Sequence, residues 1–229
     1  MQGWLKTSFI DYPGKIASVF FYGGCNFRCP FCHNGDLVLQ KTAEEISEDE
    51  AISKIKKKKH LYEGIVLTGG EPTMVPNIAA IIREIKSQTG LPVKLDTNGT
   101  APDKLEALIS EGLIDYVAMD IKTSLMKYPG LFATKDEALV DKIKQSIEIL
   151  KNQKKIQYEF RSTVYPPLFE ESDLGGIAEL INGAEAYYLQ QYNPRNTLTE
   201  DASKEILPTS KLKELQEYFS KFVKHCEIR

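Results

Sequence analysis

The chain has no apolar run long enough to span a membrane, and its first residues, Met1-Gln-Gly-Trp-Leu-Lys, lack a charged segment followed by an apolar one. Neither a membrane anchor nor a secretory leader is expected, and the protein is expected to be soluble and cytoplasmic. An excess of one charge is also missing: 29 Lys and Arg stand against 32 Asp and Glu, a net charge of −3 over 229 residues. The basic residues are scattered apart from Lys56 to Lys59, so no nucleic-acid footprint is visible. That lysine run closes a predicted helix opened by Glu48, Asp49 and Glu50, which suits the helix dipole and reads as a solvated helix end. Internal repeats, low-complexity segments and interdomain linkers are absent. The length fits one domain over 1–229, with a short strand-and-turn extension over 1–15 and a C-terminal helix over 209–225.

Cysteine is scarce, with four in all, and three of them stand together in Cys25-Asn-Phe-Arg-Cys29-Pro-Phe-Cys32. A disulfide framework is not expected, because a chain of this size buries its own core without staples. Thiolates spaced C-x3-C-x2-C can hold three irons of a 4Fe-4S cluster and leave the fourth without a protein ligand. An open coordination position is where an outside molecule binds and reacts. The alternative is a Cys3His zinc site that includes His33, but adjacent residues point in different directions and make its geometry poor. Cys226, at the end of the predicted last helix, reads as a small packing residue. Oxygen attacks a cluster with an open iron, so an anaerobic or well-reduced working environment is expected.

Short apolar runs alternate with amphipathic segments, the signature of βαβ units and a parallel sheet. Strands are expected at 16–22, 64–68, 93–97, 116–121, 157–164 and 186–190. Helices are expected at 48–58, 77–88, 103–111, 135–152, 171–182 and 210–224. Ser47 followed by Glu50 forms a capping-box pattern, and Leu212, Leu215, Phe219 and Phe222 recur at helical spacing. The fold expected is α/β, an open (βα)6 barrel resembling part of a TIM barrel.

The polar motifs fall in one place on this map. The cysteine loop follows the first strand, Thr68-Gly-Gly-Glu-Pro72 ends the second, Asp96-Thr-Asn-Gly99 the third and Asp120-Ile-Lys122 the fourth. Arg161 with Tyr165-Pro-Pro167 closes the fifth strand, and Gln190-Gln-Tyr-Asn-Pro194 the sixth. Ligands of parallel sheets and barrels bind at the carboxyl ends of the strands.

These residues resemble the radical S-adenosylmethionine (radical SAM) enzymes, which carry C-x3-C-x2-C with an aromatic residue, here Phe31, before the last cysteine. Gly69-Gly70-Glu71-Pro72 is similar to the family's GGEP element. The resemblance implies that Cys25, Cys29 and Cys32 hold the cluster and that S-adenosylmethionine chelates its open iron. Reductive cleavage of the cofactor then gives a 5′-deoxyadenosyl radical. Gly69 and Gly70 are expected to let backbone approach the cofactor's amino group; a plain turn is the other reading of a Gly-Gly pair. Phe31, Glu71, Asp96, Thr97, Asn98, Asp120, Lys122 and Arg161 are expected among the cofactor contacts. Asp96, Thr97, the Ala118 carbonyl and Asp120 are expected to hold a monovalent cation, as oxygen donors suit a hard ion. An ion pair of Asp120 with Lys122, and a structural salt bridge for Arg161, remain open. His33 and Asn34 are expected to shape the cluster loop.

The stretch from Lys6 to Gly14, Lys-Thr-Ser-Phe-Ile-Asp-Tyr-Pro-Gly, is similar to the opening of activating proteins of anaerobic ribonucleoside-triphosphate reductases. It implies contact between Asp11 and the substrate's glycine region, with a Pro13-Gly14 turn as the structural alternative. Cysteines for a further cluster domain are lacking. The function implied is a glycyl-radical-enzyme activase, acting on anaerobic ribonucleotide reductase with a flavodoxin or ferredoxin as electron donor. Activation of a pyruvate formate-lyase type enzyme, small-molecule chemistry such as that of 7-carboxy-7-deazaguanine synthase, and a metal-binding structural or redox-sensing module are the alternatives.

Overall fold

Side chains alternate between the two faces of a strand, and here the two faces have different company. In a computed structural model describing residues 1–41 and 46–229, six parallel strands run in sequence order: β2 (Lys15–Tyr22), β3 (Gly64–Gly69), β4 (Val93–Thr97), β5 (Tyr116–Asp120), β6 (Gln157–Val164) and β7 (Ala186–Gln191). Phe20, Ile65, Leu67, Leu95, Val117, Met119, Phe160 and Leu189 point to one face and are fully buried in the main core with the helices. The other face carries a smaller cluster, Tyr12, Ala17, Val19, Val66, Tyr116 and Ala118, together with Lys94, Asp96, Asp120, Glu159 and Arg161. An apolar outer layer and a polar concave layer are what a barrel with a site inside it requires.

The helices bury one stripe each. After the short α1 (Gly35–Val38), α2 (Glu48–Lys57) buries Ile52 and Ile55, and α3 (Ile78–Thr89) buries Ile78, Ile82 and Ile85. Next come α4 (Pro102–Ser110), α5 (Ala138–Asn152), which buries Leu139, Ile143, Ile147 and Leu150, and α6 (Glu171–Ile181). Ser47 caps α2 by accepting from the Glu50 N–H, but Glu50 turns its side chain to Lys54 rather than back to the cap. All four lysines from Lys56 to Lys59 are exposed, as a solvated helix end should be.

The open (βα)6 barrel is therefore present, and two strands extend it. β1 (Gly3–Tyr12) pairs antiparallel with β2, and β8 (His225–Ile228) pairs parallel with β7. Among the described residues β1 and β8 do not pair with each other, so the sheet stays unclosed. The last helix is shorter than expected: α7 spans Thr209–Phe219, and Cys226 lies on β8 in register with Tyr187. The stripe of Leu212, Leu215 and Phe219 outweighed the strand character of the four-residue His225–Ile228 segment, which becomes a strand only because β7 offers a free edge.

Phe219 is fully buried and sets its ring edge-on to Tyr187 at 5.2 Å. Phe219→Ala is expected to cost about 3–5 kcal/mol, read from the urea midpoint at unchanged slope.

Candidate active site

The carboxyl ends of the strands enclose a cavity of about 390 Å³. It is lined by Cys25, Cys29, Phe31 and Cys32 from the loop after β2, by Gly69 and Gly70 after β3, and by Asp96, Thr97 and Asn98 at the end of β4. Asp120 and Lys122 from the end of β5, Arg161 from β6 and Asp11 from β1 complete the expected set. Glu71 and Ala118 are not part of the lining.

The cysteine loop is clamped on both sides by aromatic rings. Phe27 packs on Phe132 at 5.2 Å and on Tyr128 at 6.1 Å, while backbone bonds from Arg28 N to Leu131 O (2.7 Å) and from Ala133 N to Asn26 O (2.8 Å) tie it to the loop after β5. On the other flank Phe31 stacks on Tyr165 at 5.0 Å, and Tyr165 meets Tyr192 edge-on at 5.0 Å. The Asn98 amide donates both to Asn26 Oδ1 (2.8 Å) and towards Cys25 Sγ (3.8 Å). Asn98 thus holds the loop. Asn26, Tyr165 and Tyr192 do the same; the sequence placed them within strand-end motifs but assigned them no role, since nothing about an Asn or Tyr in a motif announces its partner far along the chain.

All three cysteines are free thiols. Burial pushes Cys25 up to about 11 and Cys29 to about 12, with the Lys122 ammonium opposing the rise, and a bound metal would take the place of their protons. No three His, Cys, Asp or Glu side chains among the described residues gather to hold a single metal ion. His33 Nε2 instead meets Asn193 O at 2.7 Å, and Asn34 donates to Gly69 O at 2.9 Å. This arrangement does not suit a Cys3His zinc site, whose ligands must converge on one point, whereas a cluster takes its thiolates at separate irons.

Opposite charges fill the floor. Arg161 Nε donates to Asp120 Oδ1 at 2.6 Å, and Arg161 Nη2 lies 3.1 Å from Asp96 Oδ2. Lys94 pairs with Asp96, and Lys122 Nζ lies 3.1 Å from Asp120 Oδ2. Register makes this possible: Asp120 pairs with Arg161 across β5 and β6, and Asp96 with Ala118 across β4 and β5. Burial alone would raise the Asp120 carboxyl, yet Arg161 and Lys122 hold it down to about 2. Asp96 is likewise held below the usual carboxylate range, against burial, by Arg161 and Lys94. At the residues expected to hold a monovalent cation, Arg161 sits between the two carboxylates, and the Thr97 hydroxyl donates to Glu71 (2.8 Å) and accepts from the Gly99 N–H (3.1 Å).

Glu71 and the two glycines have structural reasons that differ from those expected. Fully buried, Glu71 accepts from Thr73 N, Thr73 Oγ1, Thr97 Oγ1 and Asn98 N at 2.6–3.1 Å, which joins the loops after β3 and β4. Gly69 has φ +118°, and a Cβ there would lie 2.4 Å from Tyr22 O; one on Gly70 would lie 2.0 Å from Gly24 O. The close neighbour is the backbone after β2, through Gly70 N to Tyr22 O (2.8 Å) and Glu71 N to Gly24 O (2.9 Å).

This strand-end cavity, with its three free thiols, belongs to a known class. A family model described as the radical SAM superfamily matches residues 19–181, and the chain belongs to that superfamily, whose enzymes use a 4Fe-4S cluster and S-adenosylmethionine. Its likeness then runs, over the whole length, to an activating enzyme. A Methanocaldococcus jannaschii protein provisionally named a glycyl-radical enzyme activating enzyme is 34% identical over 236 residues, covering 100% of this chain and 95% of that protein. A pyruvate formate-lyase-activating enzyme of Clostridium pasteurianum is 29% identical over 117 residues, covering 49% of this chain and 48% of that one. Two solved structures share the fold. SuiB of Streptococcus suis bound to S-adenosylmethionine has TM-score 0.63 at 13% identity, over 91% of this chain and 49% of SuiB. TYW1 with a lysine-pyruvate adduct has TM-score 0.62 at 16% identity, over 90% of this chain and 72% of TYW1.

Cys29→Ala is expected to lower bound iron after reconstitution and to abolish reductive cleavage of S-adenosylmethionine, measured by iron content and 5′-deoxyadenosine. Gly70→Ala is expected to destabilise the iron-free protein by about 1–3 kcal/mol in urea, because Gly24 backbone has to move. Arg161→Ala removes the cation shared by Asp96 and Asp120, which with Lys94 and Lys122 keeps them ionised when folded. Stability from a depressed carboxylate is present above its unfolded value of about 4 and fades as pH falls towards 2. The urea-midpoint gap between the iron-free wild type and Arg161→Ala is therefore expected to be wide at pH 7 and to narrow from pH 4 to 2.5.

Proposed function

We propose that this protein installs a glycyl radical on a partner enzyme, with an anaerobic ribonucleoside-triphosphate reductase as the substrate. The observation that carries the reading is the whole-length likeness to an activating enzyme, joined to the placement of Asp11. Asp11 belongs to the Lys6–Gly14 stretch that resembles the opening of reductase activators. Asp11 is among the residues lining the same cavity as the three cysteines, and its carboxylate forms no hydrogen bond within the described residues.

When bound and given one electron, the cluster and S-adenosylmethionine would supply the chemistry that removes one hydrogen atom from a glycine Cα, with methionine and 5′-deoxyadenosine as the by-products. The chain's own residues hold and orient. Cys25, Cys29 and Cys32 ligate, and the Phe27 and Phe31 clusters keep their loop rigid. Arg161 and Lys122 retain N–H donors beyond those spent on Asp96 and Asp120, and these suit the cofactor's carboxylate. Asp11 accepts from a backbone N–H beside the target glycine. Among the described residues β1 and β8 do not pair, and a sheet left open in this way suits a protein loop as substrate. A flavodoxin or ferredoxin delivers the electron, and the cytoplasm is the setting; no helix among the described residues is long and apolar enough to cross a membrane.

A second reading is activation of a pyruvate formate-lyase type enzyme, which the Clostridium pasteurianum relative favours over half the chain. Electron paramagnetic resonance separates the two. The anaerobically reconstituted protein, reductant and S-adenosylmethionine are mixed with each partner in turn. A glycyl-radical doublet on the reductase is the expected outcome. A doublet only on the lyase transfers the assignment, and 5′-deoxyadenosine with neither doublet sets both readings aside.

A further inference from the structure

The polar side chains around the cavity divide by what they already bond. Asp96, Asn98, Asp120, Lys122 and Arg161 are engaged with one another or with the cysteine loop. Four others, Asp11, Thr68, Thr163 and Gln190, form no side-chain hydrogen bond within the described residues. Thr68 adjoins Gly69 at the cluster side. Thr163 and Gln190 are register partners across β6 and β7, two residues beyond Arg161 and Tyr188 on the same face. They stand side by side at the carboxyl end of the last two parallel barrel strands, half-buried and uncharged.

We propose that Thr163 and Gln190 form the subsite that reads the peptide backbone of the protein substrate, an inference that rests on the glycyl-radical reading above. A glycine offers no side chain, so the only polar handles at the reacting residue are its own and its neighbours' N–H and C=O groups. A Gln amide presents one acceptor and two donors in a plane and matches a peptide unit at both atoms, and the adjacent Thr hydroxyl adds a further donor or acceptor. Neutral partners suit a neutral peptide. Apart from Asp11, the charged groups of the lining lie on β4, at the end of β5 and midway along β6, where an ionic cofactor belongs, so the lining separates a charged half from a backbone-reading half. Asp11, on β1, adds an acceptor from the opposite end of the strand order.

The rival occupant for the pair is the cofactor's adenosine, which also carries neutral donors and acceptors. Gln190→Met and Thr163→Val keep side-chain volume and remove the hydrogen bonds. The reconstituted holoenzyme is titrated with S-adenosylmethionine, and separately with a peptide spanning the radical glycine of whichever partner shows the doublet. Each single variant is expected to weaken peptide binding about 5-fold and the double variant about 25-fold, with S-adenosylmethionine affinity within about 2-fold of wild type. Thr163→Ser, which keeps the hydroxyl, is expected to retain peptide affinity. Weaker S-adenosylmethionine binding with unchanged peptide binding overturns the proposal and gives the pair to the cofactor, and unchanged affinity for both overturns it outright. Unfolding midpoints of the variants show whether a loss comes from misfolding: peptide binding lost by Thr163→Ser as well, alongside a lowered midpoint, overturns the proposal in favour of a structural role. If the wild type yields no doublet on any partner, the glycyl-radical reading has failed, and this inference falls with it.

Discussion

The guanidinium of Arg161 between the carboxylates of Asp96 and Asp120 is the contact on which the concave side of this sheet depends. Bringing charged groups out of water costs several kcal/mol per ion, and only close pairing with further hydrogen bonds offsets it. Here three cations, Lys94, Lys122 and Arg161, meet two carboxylates drawn from three adjacent strands. The pairing holds only if β4, β5 and β6 keep their register, since a slip of one residue would turn every one of these side chains to the apolar outer face. Electrostatics and strand register thus support each other.

The same economy of partners runs through the loops above. Glu71 spends both oxygens on the turns after β3 and β4, and Asn98 spends its amide on the cysteine loop. Gly69 and Gly70 let the backbone after β2 lie against β3, which brings the cysteine loop over the cavity. Rings of Phe27, Phe132 and Tyr128 on one flank, and of Phe31, Tyr165 and Tyr192 on the other, hold the loop there by packing. A ligand-binding loop made rigid in this way loses little further freedom when its ligand arrives. Groups left without a protein partner in such a crowded polar lining are few, and the proposed substrate contacts draw on them.

Much of the fold was legible because its signals are local. Short apolar runs marked six strands, including Val93–Thr97 and Gln157–Val164 to the residue, and the amphipathic segments between them marked six helices. The ends of the sheet were harder. His225–Ile228 is too short and too polar to declare itself and becomes a strand only beside β7. Lys94 reads as a surface residue in any sequence window, yet it is 1% exposed because Asp96, two residues on, shares its inward face.

The sequence by itself determined the chemistry on offer: three thiols at cluster spacing, a glycine pair, and acidic, basic and amide groups all carried to the carboxyl ends of parallel strands. Spacing and periodicity suffice for this, since both are properties of neighbours along the chain. Only the tertiary structure decided which of those groups are free. Whether Asp96 and Asp120 meet an arginine, whether Glu71 opens to the cavity or locks two loops, and whether Gln190 has a partner depend on contacts between residues far apart in the chain. A hydrogen bond consumes a donor and an acceptor wherever they come from, and sequence order does not record that meeting.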